Sequence, residues 1–275
     1  MSQIQRWTVS EVSISPISTS GGTLLEGPYH DVANNEFRFV DIWEHKLYRV
    51  DLTRGPESLS VVDTGTAIGV TANIGNASES NADQLVVAAK KGFARLDRIT
   101  GNLSYIREAW GEEDGPGKVD FLHRMLAPVT IPNGIGWNAA DDTMYVTDSP
   151  TGKIFAFDYE PVTGSLGTRR VFFDLGEPLE PDGFAIDVEG CIWSAIYGGG
   201  RVIRISATGA LIGQIDLPTR NPTCPTFVGE ELWITSAKDD RDDAVLPQSV
   251  RYGGCVFRVN VGVRGQAKNE FRLQQ

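Results

Sequence analysis

Asn133-Gly134-Ile135-Gly136-Trp137-Asn138-Ala139-Ala140-Asp141-Asp142-Thr143-Met144-Tyr145-Val146-Thr147-Asp148 decides the fold. An oxygen-bearing residue followed by glycine opens the stretch, a polar turn comes at Asp141-Asp142, and an alternating strand runs from Thr143 to Asp148. A further turn leads to a second strand, Lys153 to Asp158. The same grammar occurs upstream and downstream. Glu26-Gly27-Pro28 is followed by Asn34-Asn35 and by strands Phe37 to Ile42 and Lys46 to Asp51. Asp182-Gly183-Phe184 is followed by Glu189-Gly190 and by strands Cys191 to Ile196 and Arg201 to Ser206. Period-two alternation bounded by turn residues is the signature of strands in hairpins. One supersecondary unit is therefore repeated, with Glu26, Asn133 and Asp182 at one position of it.

Two further copies are weaker. One spans roughly 66–110, with strands Gln84 to Ala89 and Gly92 to Asp97, and its opening Thr66-Ala67-Ile68-Gly69 has no strong oxygen ligand. The other runs from about 222 to 272, with strands Glu231 to Ser236 and Gly254 to Asn260. The outer strands begin near 37, 84, 143, 191 and 231, at intervals of 47, 59, 48 and 40. A repeat of that size in an all-strand chain predicts an all-β propeller of four-stranded blades, five of them recognisable, in a single domain over 1–275. The first strand of each blade is expected to line a central channel, where the three oxygen residues converge. Residues 7–14 alternate and read as one more strand, and the charge run beginning at Lys238-Asp239-Asp240 reads as a solvated loop. Residues 111–130 break the grammar; they read as a short helix or an irregular strand, not a complete blade.

Composition excludes some functions. A net charge of −11 lacks the basic footprint that nucleic acid or an anionic membrane requires, so neither is an expected partner. Three cysteines, Cys191, Cys224 and Cys255, have no metal-ligand spacing and suggest reduced thiols. The N-terminus has no apolar signal core and no apolar run is long enough to span a bilayer, so a cytoplasmic protein is the default expectation. The expected partner is a small-molecule substrate; the oligomeric state is left open.

The chain resembles the regucalcin/gluconolactonase/luciferin-regenerating-enzyme family, the senescence-marker-protein-like propellers. The phrases that carry the resemblance are Glu26-Gly27-Pro28, Ile131-Pro132-Asn133-Gly134-Ile135-Gly136-Trp137, Thr143-Met144-Tyr145-Val146-Thr147-Asp148-Ser149, Pro181-Asp182-Gly183, Gly199-Gly200-Arg201-Val202-Ile203-Arg204, and Leu232-Trp233-Ile234-Thr235-Ser236-Ala237. The resemblance implies a six-bladed propeller, hydrolysis of lactones or related esters, and a divalent cation held by Glu26, Asn133 and Asp182. Two carboxylates and an amide oxygen form a hard donor set suited to Ca²⁺, Mg²⁺ or Mn²⁺, with Zn²⁺ also admissible. Such an ion polarises a carbonyl and acidifies a bound water, and Asp182 doubles as the catalytic base in this reading. The bland alternative is that Asn-Gly and Asp-Gly are ordinary turn signals.

The chain departs from the family in one respect. Family members carry an R-F-N-D-G phrase, followed by another blade, between the second and third units recognised in this chain, and this sequence has no such phrase. The family uses the Arg and Asn of that phrase on its substrate. Substrate-binding candidates in this chain are Tyr29, His123, Arg124, Trp137 and Tyr197; for Trp137 packing between blades is at least an equal reading, and for Arg124 a surface charge is the stronger one. Three functions compete. The first is a metal-dependent lactone or ester hydrolase. The second is a non-hydrolytic cyclase, isomerase or lyase of secondary metabolism, acting on a small apolar metabolite in the same pocket. The third is a binding propeller without catalysis.

Overall fold

In the computed structural model, residues 4–8, 14–15, 21–75, 82–108, 125–241 and 245–272 are described. The fold is all-β, and among the described residues five largely antiparallel sheets form the blades of a β-propeller. No helix among the described residues is long and apolar enough to cross a membrane. The chain divides into two compact units, Met1–Gly22 with Met125–Gln266, and Thr23–Arg124 with Ala267–Gln275.

Two short N-terminal strands come first, β1 (Gln5–Thr8) and β2 (Ile14–Ser15). The sequence predicted one strand over 7–14. Instead β1 runs parallel to the outer edge of one sheet and β2 antiparallel to the edge of another. Side-chain packing accounts for β1: the Trp7 ring lies 5.1 Å from the Trp193 ring.

The smaller unit holds two blades. β3 (Leu25–Asp31), β4 (Glu36–Asp41), β5 (Lys46–Asp51) and β6 (Ser60–Asp63) form the first in simple meander order. β7 (Ile68–Asn73), β8 (Gln84–Ala89), β9 (Gly92–Asp97) and β10 (Leu103–Glu108) form the second. Their facing side chains make one apolar layer from Val40, Leu47, Ile68, Leu85, Val87 and Leu96. A buried ionic network joins it: Arg38, fully buried, donates to Thr71 Oγ1 at 2.8 Å and to Asp31 Oδ2 at 3.2 Å.

The larger unit holds three blades. The first contains β11 (Pro132–Trp137), β12 (Thr143–Asp148), β13 (Lys153–Glu160), β14 (Ser165–Leu166) and β15 (Arg170–Asp174), with β14 and β15 both paired to β13. The second is β16 (Glu180–Ile186), β17 (Ile192–Tyr197), β18 (Arg201–Ile205) and β19 (Leu211–Asp216), extended by β1. The third is β20 (Pro222–Val228), β21 (Glu231–Ser236) and β22 (Val256–Asn260), completed to four strands by β2. The second strand of each blade is sandwiched between neighbours, which is why Ile192, Trp193, Ser194, Ala195 and Ile196 are all buried without alternation.

Asn133-Gly134 and Asp182-Gly183 are not hairpin turns; they lie inside β11 and β16. Each first strand carries a one-residue register shift against its second strand: Pro132 pairs with Asp148 but Ile135 with Val146, and Pro181 pairs with Ile196 but Phe184 with Ser194. Such bulges bend a strand and re-aim its side chains. The glycines follow from the spacing between blades. A β-carbon on Gly134 would stand 2.4 Å from Phe184 Cδ1 and 2.9 Å from the Asp182 carbonyl oxygen. One on Gly183 would stand 2.6 Å from Cys224 Cβ on β20.

The 111–130 expectation falls mostly on residues outside the described ones.

Gly134→Ala and Gly183→Ala should therefore each destabilise the fold by about 1–3 kcal/mol, the usual cost of overpacking. Gly69→Ala, where nothing lies within 4 Å of the added carbon, should change stability far less. Urea denaturation of the three variants tests this; equal midpoints for all three would contradict it.

Candidate active site

The site is built on the starts of the first strands. Asp148, at the end of β12, accepts the N–H groups of Thr130 and Ile131, both at 3.0 Å, and thereby fixes the approach to β11. Asp41, at the end of β4, does the same for Thr23 at 2.7 Å and Leu24 at 3.3 Å ahead of β3. Counted from these caps, Glu26 and Asn133 fall at the same position. The bulge differs by one residue: it follows Glu26 on β3, where Glu26 still pairs with Val40, and it contains Asn133 on β11. Asp182 has Asn133's place on β16. On β20 that place belongs to Thr223, whose hydroxyl lies 2.8 Å from Thr235 Oγ1.

Within the larger unit, the Asn133 and Asp182 backbones are brought side by side, because Gly134 packs directly against the Asp182 carbonyl. Asp182 is buried, at 6% exposure, and Asn133 is half-buried. Asn133 makes no side-chain hydrogen bond among the described residues. Tyr197 ends β17 opposite Glu180 and shares Asp182's surroundings. Burial raises the Tyr197 phenol above its ordinary range; the charge of Asp182 adds to that and the charge of Arg241 opposes it.

Glu26 belongs to the smaller unit. Burial pushes its carboxyl up to about 7, opposed only by the Gly27 N–H, which donates at 3.2 Å. Within the larger unit, Asn133 and Asp182 offer an amide oxygen and a buried carboxylate at matching positions of adjoining blades, hard oxygen donors of the kind a divalent cation takes.

The other sequence-predicted residues are placed differently. Tyr29 is buried, with the Arg38 guanidinium 3.9 Å and Lys268 Nζ 4.7 Å from its ring centroid. That is a packing role. Trp137 lies at the far end of β11 from Asn133 and packs edge-on to Tyr159 at 5.7 Å, in a cluster with Met144, Val146, Phe155 and Phe157. His123 and Arg124 lie outside the described residues. Asp187, Glu189 and Cys191 place three ligand atoms within 4.8 Å of one another. Arg204 fills that group, donating to Asp187 and Glu189 at 2.7 Å each, and Asp187 also accepts the Trp193 indole N–H at 2.9 Å. It is an ion-paired brace for the sheet.

Sequence reasoning missed a polar cluster at the end of β21. The segment from Lys238 reads as a solvated loop, yet Asp239 is 2% exposed. Arg220 Nη1 and Ser249 Oγ each donate to Asp239 Oδ2 at 2.7 Å, and the Arg241 backbone N–H and Nε each donate to Oδ1 at 3.1 Å. Burial alone would raise the Asp239 carboxyl, but the hydrogen bonds from Ser249 and Arg241 and the Arg241 charge outweigh it and hold it at about 2. The readable signal was that the apolar alternation Leu232 to Ala237 runs straight into Asp239, so the strand end carries it inward.

Comparison with known proteins agrees with this architecture. The family described as SMP-30/Gluconolactonase/LRE-like region matches residues 24–120 and 110–238. Regucalcin from Homo sapiens is 36% identical over 298 residues, covering 94% of this chain and 98% of that protein. The 6-deoxy-6-sulfogluconolactonase of Pseudomonas putida is 36% identical over 174 residues, 59% of each chain. The solved structure of a calcium-binding regucalcin from Agrobacterium tumefaciens superposes with a TM-score of 0.83 at 23% identity, covering 98% of this chain and 100% of that one. This chain belongs to the SMP-30/gluconolactonase/LRE-like family.

The depressed Asp239 carboxyl has a consequence for stability. A group whose folded value lies below its unfolded value of 3.8 stabilises the fold fully above that value and loses the contribution as pH falls from about 4 toward 2. Asp239→Asn should cost on the order of 1–2 kcal/mol at pH 7 and should flatten the loss of stability between pH 4 and 2. Chemical denaturation across pH checks this; parallel curves for the two proteins would contradict it.

Proposed function

We propose that this chain hydrolyses a small lactone with the help of one divalent cation. The ligands in this reading are Asn133 and Asp182, with Glu26 as the third ligand that the repeated sequence pattern supplies. The observation that carries it is the approach of Gly134 to the Asp182 backbone, which sets an amide and a buried carboxylate at equivalent bulge positions of adjoining strands. Family membership supports it, and so does the name of the sulfogluconolactonase relative.

When bound, the cation would polarise the acyl carbonyl and ease the ionisation of water. The chain's own residues supply the proton traffic. Asp182 takes a proton from the attacking water, whose oxygen forms the new bond to the acyl carbon. The ring C–O bond breaks, the ring oxygen takes up a proton, and the product is an open hydroxy acid. Tyr197, beside Asp182, orients the substrate through its hydroxyl. Burial of Asp182 keeps bulk water from competing for its lone pairs.

The absent R-F-N-D-G phrase favours one other reading, a non-hydrolytic cyclisation, isomerisation or elimination in the same pocket. Kinetics separate the two. Asp182→Ala should lower kcat/KM on a hydrolysable lactone by about a thousandfold, and a chelator should do the same to the wild type. Asn133→Asp keeps an oxygen donor and should retain cation binding with altered turnover. Conversion of a substrate that survives both chelation and Asp182→Ala would end the hydrolase reading, and a chain that turns over no lactone yet still binds ligand would point to a binding propeller.

A further inference from the structure

We propose that Arg241 sets the substrate class of this site by binding an anionic group, a carboxylate or sulfonate, carried on the lactone. The inference rests on the hydrolase reading and goes beyond it, because a guanidinium is not needed to recognise a neutral sugar lactone.

Arg241 stands just past the end of β21, at the same end of its blade as the start of β20. The Ala237 N–H donates to the Asn221 carbonyl at 2.8 Å, which fixes that end. One edge of Arg241 is immobilised: its backbone N–H and Nε both donate to Asp239 Oδ1 at 3.1 Å, and Nη2 donates to Asn221 Oδ1 at 3.2 Å. Nη1 has no hydrogen-bond partner among the described residues, and the side chain is 56% exposed. A planar fork is therefore held at one edge and open at the other, so binding an anion costs little further side-chain entropy.

The charges around it are mixed, and Asp242 and Asp243 follow it in the sequence, so an anion would be recognised by directed hydrogen bonds from the guanidinium and not by net local charge. Asp239 is shared between two guanidiniums, Arg220 and Arg241. The nearby Lys238 and Asp240 pair with each other at 2.8 Å and cancel. The chain as a whole has a net charge of −11, which makes a guanidinium with an open edge the more selective feature for an anionic group. The loops connect Arg241 to the end of β17: Gly200, three residues past Tyr197, donates its N–H to the Arg220 carbonyl at 3.0 Å, and the next residue, Asn221, accepts from Arg241 Nη2; the Arg241 charge opposes that of Asp182 on the Tyr197 phenol. Tyr197 makes no side-chain hydrogen bond among the described residues, so its hydroxyl, like Arg241 Nη1, is open to a ligand. Together they suit a carboxylate or sulfonate, while Asp182 addresses the lactone.

Arg241→Gln, Arg241→Lys and wild type are compared on neutral D-glucono-1,5-lactone, on D-glucaro-1,4-lactone, which carries a free carboxylate, and on 6-deoxy-6-sulfogluconolactone. Arg241→Gln should raise KM for an anionic lactone about tenfold or more, with kcat and the neutral lactone's KM within about twofold of wild type. Arg241→Lys keeps the charge and should recover part of the loss, which guards against misfolding as the cause. The two anionic lactones tell a carboxylate site from a sulfonate site. Equal effects on neutral and anionic lactones, or no effect on either, would overturn the proposal. Calorimetry with methyl β-D-glucuronide against methyl β-D-glucoside, in chelator, reads the anion site without turnover. Tighter binding of the glucuronide that is lost in Arg241→Gln supports the proposal even if no lactone is hydrolysed, in which case the hydrolase reading alone fails. Equal binding of the two glycosides by wild type, with no anionic preference in KM, overturns the anion site and leaves hydrolysis standing.

Discussion

At Gly27, Gly134 and Gly183 there is no room for a β-carbon between the first strands of adjoining blades. Where Gly134 meets Phe184 and the Asp182 carbonyl, and where Gly183 meets Cys224, any side chain would stand within 3 Å of its neighbour. In the smaller unit a β-carbon on Gly27 would stand 2.7 Å from the carbonyl oxygen of Gly69. This one steric constraint explains the repeated phrase. Glycine lets the sheets close, the bulge takes up the extra residue, and the residue before the glycine carries the oxygen function. Packing and chemistry are thus written into adjacent positions of one motif.

Polar groups buried between the sheets obey a second constraint, that a desolvated charge needs partners. In the smaller unit Arg38 answers Asp31 and Thr71, and Arg98 approaches both Asp31 and Glu36 at 3.5 Å. In the larger unit Asp187 answers Arg204 and the Trp193 indole, and Asp239 answers Arg220 and Ser249. Glu26, half-buried, differs from these: desolvation lifts its carboxyl and no basic side chain offsets it. A cation is the natural complement to such a group, whereas the braced carboxylates have their countercharges built in.

Much of this was legible in the sequence because strands announce themselves locally. Thr143–Asp148 and Gly92–Asp97 have the limits that alternation and turn residues predict. Reading 7–14 as one strand failed because pairing partners, not local pattern, decide strand ends; Gln5–Thr8 and Ile14–Ser15 serve different sheets. Repetition singles out Asn133 and Asp182 as candidates, since equivalent offsets in a repeat imply equivalent places in their blades. Repetition also hid something. Arg220, Asn221, Asp239 and Arg241 belong to loops that differ from blade to blade, so no internal copy draws attention to them. Trp137 and Tyr29 show the converse, since aromatic residues beside a motif were drawn into packing by the nearest apolar or cationic surface.

The central claim is that Asn133 and Asp182 hold a divalent cation, and elemental analysis tests it most directly. Purified wild-type chain, dialysed free of loosely bound ions, should carry about one divalent metal ion per chain, as a hard oxygen set of this kind binds. Asn133→Ala and Asp182→Ala, folded as judged by circular dichroism, should lose it. A folded Asp182→Ala variant that keeps a full equivalent of metal, or a wild-type chain that takes up none from a divalent-metal buffer, would contradict the account.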